Sequence, residues 1–155
     1  LLDKKKNPYD IKRTEGEIRL VSVDIATRKN EKNDNTIITC IRLIPTSKGY
    51  MRECVYMESH LGEHTGKQAL RIKQIYHDFG ADYIVLDLQQ AGIAVYEQLG
   101  QVTKDEERGI EYEAFTVFEH KSLDKSLIQE LQEKTLGIKA KPVIYLSSLY
   151  SLFHI

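Results

Sequence analysis

The chain has almost no excess charge of either sign: 22 basic residues stand against 23 acidic ones. That excludes the chain-wide positive field of a histone-like binder, so any contact with nucleic acid has to be local. There is no uninterrupted apolar run near the ~20 residues that a membrane span requires, and no charged-then-apolar leader; no membrane partner is expected. No Gly-rich loop closing on Lys-Ser/Thr occurs, which leaves no ATP-driven motor within these residues. Cysteines number two, Cys40 and Cys54. They sit symmetrically about a hairpin turn and are expected as free thiols in the core. His60 and His64 are four apart, but the intervening Leu61-Gly62-Glu63 reads as a loop and no Cys/His pair completes a zinc set. His77, His120 and His154 lack a triad partner, and Ser147 and Ser148 lack the glycines of a nucleophile elbow. Internal repeats and low-complexity segments are absent too.

What remains is 155 residues, 41% of them apolar, enough for one well-buried domain. Residues 1–16 mix lysines, Pro8 and Gly16 without a period and read as a linker, with residues 17–155 as the folded domain. The opening Leu1 and the uncapped end at Ile155 suggest an excised piece. Glu17 to Asp24 is too apolar for a strand with one wet face and is expected to be central. Thr36 to Ile44 and Tyr50 to Met57 should form a hairpin closed by Pro45 to Gly49. From Thr65 to Phe79 the period turns helical, with Ala69, Ile72, Ile75, Tyr76 and Phe79 on one face, Thr65 able to cap the start and Gly80 the end. Asp82 to Asp87 is a second buried strand, and Ala91 to Leu99 a second helix. A charged loop around Lys104 to Arg108 precedes an extended Tyr112 to Phe118, a helix over Ser122 to Lys134 and a last strand over Pro142 to Leu146. The fold class is α/β, with a mixed central sheet whose first three strands are antiparallel and the later ones parallel, flanked by helices.

Both apolar strands end on an aspartate. In open α/β sheets ligands sit off the carboxyl ends of strands, which would bring Asp24 and Asp87 together. Two carboxylates converging there repel unless a divalent cation compensates them, and hard oxygen donors suit Mg²⁺ or Mn²⁺ better than zinc. Two such ions roughly 3.5 to 4 Å apart could hold the attacking water and the leaving oxygen of a phosphodiester in line. The competing reading is that both residues cap turns. Asp34, within Asn33-Asp34-Asn35, could contact the metals indirectly or simply shape a turn. Arg28, Lys29 and Lys32 follow Asp24, where they could hold phosphates or line a solvated loop. Gly92 could present backbone N–H groups to an anion or allow a close turn, and the Asp105 to Arg108 group reads as a solvated loop.

The run Val21-Ser22-Val23-Asp24-Ile25-Ala26, then Asn33-Asp34-Asn35-Thr36, then Tyr83-Ile84-Val85-Leu86-Asp87 with Gly92 and Leu99 after it, resembles the C-terminal nuclease domain of phage terminase large subunits over residues 17–146. The resemblance implies a ribonuclease H-like fold and two-metal cleavage of concatemeric double-stranded DNA in the cytoplasm of an infected or lysogenic bacterial host. It implies a separate ATPase domain before residue 17, and a small terminase subunit and portal protein as partners. The family's first and second carboxylates fall on Asp24 and Asp87; its third lies beyond a strand like Pro142 to Leu146, so the domain is expected to be truncated. Transposases and Holliday-junction resolvases share the fold, and a catalytically silent DNA or packaging-protein docking module is the rival from another class.

Overall fold

The computed structural model describes residues 11–25, 35–61, 64–87, 92–119 and 141–146. Strand β1 (Ile18–Asp24) lies at the centre of a six-stranded sheet and is buried from Ile18 through Val23. On one side it pairs antiparallel with β2 (Asn35–Thr46), which pairs antiparallel with the edge strand β3 (Gly49–Leu61). On the other side comes β4 (Tyr83–Asp87), parallel to β1. Beyond it lie β8 (Lys141–Leu146) and β7 (Phe115–Glu119), each parallel to its neighbour. The spatial order β3-β2-β1-β4-β8-β7, with its switch from antiparallel to parallel pairing at β1, is the mixed sheet that the apolar runs and turn signals predict, and it is ribonuclease H-like, as the resemblance implies.

Alternation along β1 divides the core in two. Val21 and Val23, with Ile38 and Cys40 of β2 and Ile84 and Leu86 of β4, pack against helix α1 (Thr65–Phe79) and helix α2 (Gly92–Leu99). Ile18 and Leu20 join Leu43 and Val85 in a second cluster on the other face. A strand with apolar partners on both faces is expected to be predominantly apolar, which is why β1 lacks polar alternation and is interrupted before Asp24 by Arg19 and Ser22 alone.

All five residues expected on the buried stripe of α1 are buried. Its start differs from expectation: His64, not Thr65, is the cap, its Nδ1 accepting from the Gly66 N–H at 3.2 Å. Gly80 ends the helix at φ 66°, ψ 41°, its N–H donating to the His77 carbonyl while Ala81 N–H reaches Tyr76 O at 2.9 Å; this left-handed turn suits a residue without Cβ. Strand β3 runs four residues past the expected Met57, which puts His60 on a strand rather than in a loop. Cys40 is buried, its thiol pushed up to about 12 by burial, but Cys54 is exposed. The turn pairs Thr46 with Gly49, a register that sets Cys54 opposite Ile41 rather than Cys40 on the sheet's edge strand, so the two sulfurs do not share the core as expected.

The charged stretch expected as a solvated loop is instead a ribbon, β5 (Thr103–Asp105) against β6 (Ile110–Tyr112). Asp105 is buried and accepts from Gln74 Nε2 at 2.7 Å and the Arg108 N–H at 3.1 Å. The Gln74 bond, helped by Arg108, holds its carboxyl below the usual range. Arg108 in turn grips Asp78 through two 2.9 Å bonds. Three-residue strands carry no readable period; this ribbon exists because α1 supplies its polar partners. The helix expected over Ser122 to Lys134 lies outside the described residues.

Lys73 sits within the apolar stripe of α1, fully buried. Its ammonium donates to the carbonyls of Gln101 and Glu113 and lies 5.3 Å from the centre of the Phe115 ring. Burial, partly offset by Glu113, pushes its pKa down to about 8. The unfolded chain keeps that proton to about pH 10.4, so between the two values the unfolded state binds more protons and this group's contribution to stability rises with pH. The urea midpoint of the wild type minus that of Lys73→Met should therefore increase from about pH 8 to about pH 10. A difference flat in pH would contradict a buried, protonated Lys73.

Candidate functional site

β1 emerges from the core at its last residue. Val23 is fully buried, whereas Asp24 is exposed, where the strand leaves the sheet at its carboxyl end. Its strand partner on β2 is Ile37. Strand parity sets Asp24 on the face of Leu20, opposite the two helices.

The register with β4 carries the most information about the site. Leu20 pairs with Tyr83, Val21 with Ile84, Ser22 with Val85 and Val23 with Leu86. The next step along both strands is Asp24 beside Asp87, the terminal residues of β1 and β4. Neighbouring strands lie roughly 5 Å apart, so the backbone brings the two aspartates to one point on the carboxyl edge of the sheet. Asp87 is in turn level with Leu146 at the end of β8. The two strand-end aspartates singled out in the sequence are thus brought together.

Arg28, Lys29, Lys32 and Asp34 lie outside the described residues. β1 ends at Asp24 and β2 begins at Asn35, so the described residues that flank that segment lie at the edge that holds Asp24. Among the described residues no group of three or more His, Cys, Asp or Glu side chains is placed to hold a metal ion. Asp24 offers hard carboxylate oxygens at an exposed strand end, and an aspartate at the end of the adjacent strand is of the same residue type; oxygen donors of this kind fit Mg²⁺ or Mn²⁺ better than zinc. His77 stacks on Tyr112, ring centres 5.0 Å apart, and takes no part in this edge. No helix among the described residues is long and apolar enough to cross a membrane.

Sequence reasoning missed the charged groups inside the fold. Lys73 was detectable as a cation within the stripe of Ala69, Ile72 and Tyr76. Glu17 and Arg19 gave a weaker signal: two charges flanking Ile18 at the start of a strand otherwise apolar enough to be central.

The class these features define is a ribonuclease H-like sheet with paired carboxylates at its carboxyl edge. No protein-family model matches the chain, and no curated protein matches it. Among solved structures it is similar to the large terminase nuclease from thermophilic phage G20c with bound magnesium, at 19% identity and a TM-score of 0.41 over 85% of this chain. A second structure of the large terminase nuclease from that phage matches at 18% identity and a TM-score of 0.40 over 88% of this chain. The chain spans 60% and 62% of the length of those two structures.

Proposed function

We propose that the chain is the nuclease domain of a viral DNA-packaging terminase large subunit, a metal-dependent endonuclease that cuts concatemeric double-stranded DNA. The observation that carries this reading is the register of β1 against β4, which sets Asp24 beside Asp87 at the carboxyl edge of a ribonuclease H-like sheet. The motif around each aspartate, with its resemblance to terminase nucleases, supplies the substrate class. Asp24 and Asp87 would hold Mg²⁺ or Mn²⁺, with Asp34 contributing indirectly. Divalent ions bound there supply charge compensation for the carboxylates and polarise a phosphodiester toward hydrolysis by water.

The chain's own residues have two tasks in this reading. The carboxylates of Asp24 and Asp87 gather positive charge at one point of an otherwise near-neutral protein, where a phosphate would be repelled by the bare pair. Arg28, Lys29 and Lys32, which follow Asp24 in the sequence, would contact backbone phosphates and set the strand's register without reading its sequence. The buried β1 and β4, packed on both faces, hold the pair rigidly, as positioning on strands rather than loops does. The ATPase domain, small subunit and portal protein of a packaging motor are the proposed partners, and the cytoplasm of an infected or lysogenic bacterium the setting.

Incubation of the protein with supercoiled plasmid and Mn²⁺ tests the reading. Nicking that stops in EDTA and in Asp24→Asn supports it; a wild type that leaves plasmid intact in Mn²⁺ and in Mg²⁺ contradicts it.

A further inference from the structure

Between Thr36 and Ile38 of β2, His60 of β3 and Lys67, Leu70 and Arg71 of α1 lies a cavity of about 210 Å³. Ile38 and Leu70 give its lining an apolar part. In its wall the Thr36 hydroxyl donates to Gln68 Oε1 at 2.7 Å, with both residues buried. Charge at its mouth can be counted. Arg71 donates to Glu58 at 2.7 Å through Nη2, and His60 and the Tyr56 hydroxyl also contact that carboxylate. Burial alone would raise Glu58, but Arg71, His60 and Tyr56 outweigh it and keep its carboxyl below the usual range. Arg71 and Glu58 therefore cancel. Lys67 is exposed and makes no ion pair among the described residues, so among them it is the cation of the lining that no carboxylate offsets.

A cation in a partly apolar lining suits a ligand with one negative charge and a flat apolar part. One nucleotide within a nucleic-acid strand has that chemistry, since each phosphodiester carries one charge. The volume is below the roughly 300–1,000 Å³ of sites for drug-sized molecules, so it excludes a dinucleotide cofactor and admits a base. Position adds a second argument. Ile37, between Thr36 and Ile38, pairs with Asp24, so cavity and carboxylate lie at the same end of the sheet on opposite faces.

We propose that this cavity seats one nucleotide of the DNA strand, its phosphodiester on Lys67 and its base against Ile38 and Leu70, and so positions a strand that bends over the sheet's edge toward Asp24. The proposal rests on the nuclease reading above. The test is fluorescence anisotropy of the whole chain with a short labelled single-stranded oligodeoxynucleotide in EDTA, where no cleavage occurs, alongside plasmid nicking in Mn²⁺. Lys67→Glu is expected to weaken binding about tenfold and to lower the salt slope by about one, while Lys104→Glu, an exposed lysine on the ribbon, leaves binding in EDTA unchanged. A deoxynucleoside monophosphate should compete far less well than the strand. Equal effects of Lys67→Glu and Lys104→Glu, or a monophosphate that competes as well as the strand, would overturn the proposal. The nicking assay separates the two failures: a wild type that nicks, with Lys67→Glu binding normally, removes the cavity and keeps the nuclease, whereas a wild type that neither binds nor nicks removes both.

Discussion

Asp24→Asn and Asp87→Asn are each expected to reduce Mn²⁺-dependent plasmid nicking by at least about 10²-fold, the upper end of what losing a mere supporting partner of a metal ligand costs. The substitution keeps the shape of the side chain and removes its charge, so a loss of activity cannot be assigned to packing. Asp24 is exposed at a strand end, and an exposed change of this kind should shift stability by less than about 0.5 kcal/mol. Circular dichroism and the melting temperature should therefore be unchanged while nicking disappears. Because the two carboxylates act as one unit, the double variant should be no worse than either single one. Nicking that survives either substitution would mean that the strand-end aspartates only cap their turns.

Glu17→Gln should be the most destabilising polar substitution at the opposite end of the sheet, by about 3–5 kcal/mol. The Glu17 carboxylate has no exposed side-chain surface, and both neighbouring guanidinium groups are largely buried with it. Arg19 reaches it at 3.3 Å, donates to Phe79 O at 2.8 Å and to Ile11 O at 2.7 Å, and lies 5.0 Å from the centre of the Phe79 ring. Arg42 also bonds it and continues to Glu53 at 3.1 Å. Burial alone would raise the Glu17 pKa, but the bond from Arg42, the Thr14 N–H and the charge of Arg19 outweigh it and hold it low. With the charge gone, two arginines remain in the interior with their main counterion lost. Loss of about 3–5 kcal/mol is a large part of the 5–15 kcal/mol that separates a folded domain from its unfolded chain. Arg13→Ala is the comparison: its bridge to Asp82 is 41% and 37% exposed on the two sides, and a pair so wet is worth at most about 1 kcal/mol. Urea denaturation of the two variants decides the matter; equal losses would contradict a buried charge cluster.

The central sheet was legible because β1 and β4 are buried on both faces, which forces continuous apolar runs, and because α1 alternates at a helical period up to a glycine in the left-handed region. Elements that depend on tertiary partners were not. The β5–β6 ribbon is three residues on each side and rests on Gln74 and Asp78 of α1, none of which is local to it. Cys54 was misplaced because the turn pairs Thr46 with Gly49, one residue off the symmetric register, so that Cys54 lies opposite Ile41 and one thiol is buried while the other is exposed. Residue type and strand-end position singled out Asp24 and Asp87 in the sequence, whereas the pairing of their strands depends on register, fixed by which apolar side chains share a face. The cavity on α1 left no trace in the sequence, since Thr36, His60 and Lys67 are brought together only by the β2–β3 pairing and the helix that covers it.

The central claim is that Asp24 and Asp87 form one divalent-cation site, and calorimetric titration of the protein with Mn²⁺ tests it without any demand on catalysis. Saturable binding by the wild type, lost in Asp24→Asn and in Asp87→Asn alike, is the predicted result. A wild type that binds no Mn²⁺, or one whose binding is the same after either substitution, would contradict it.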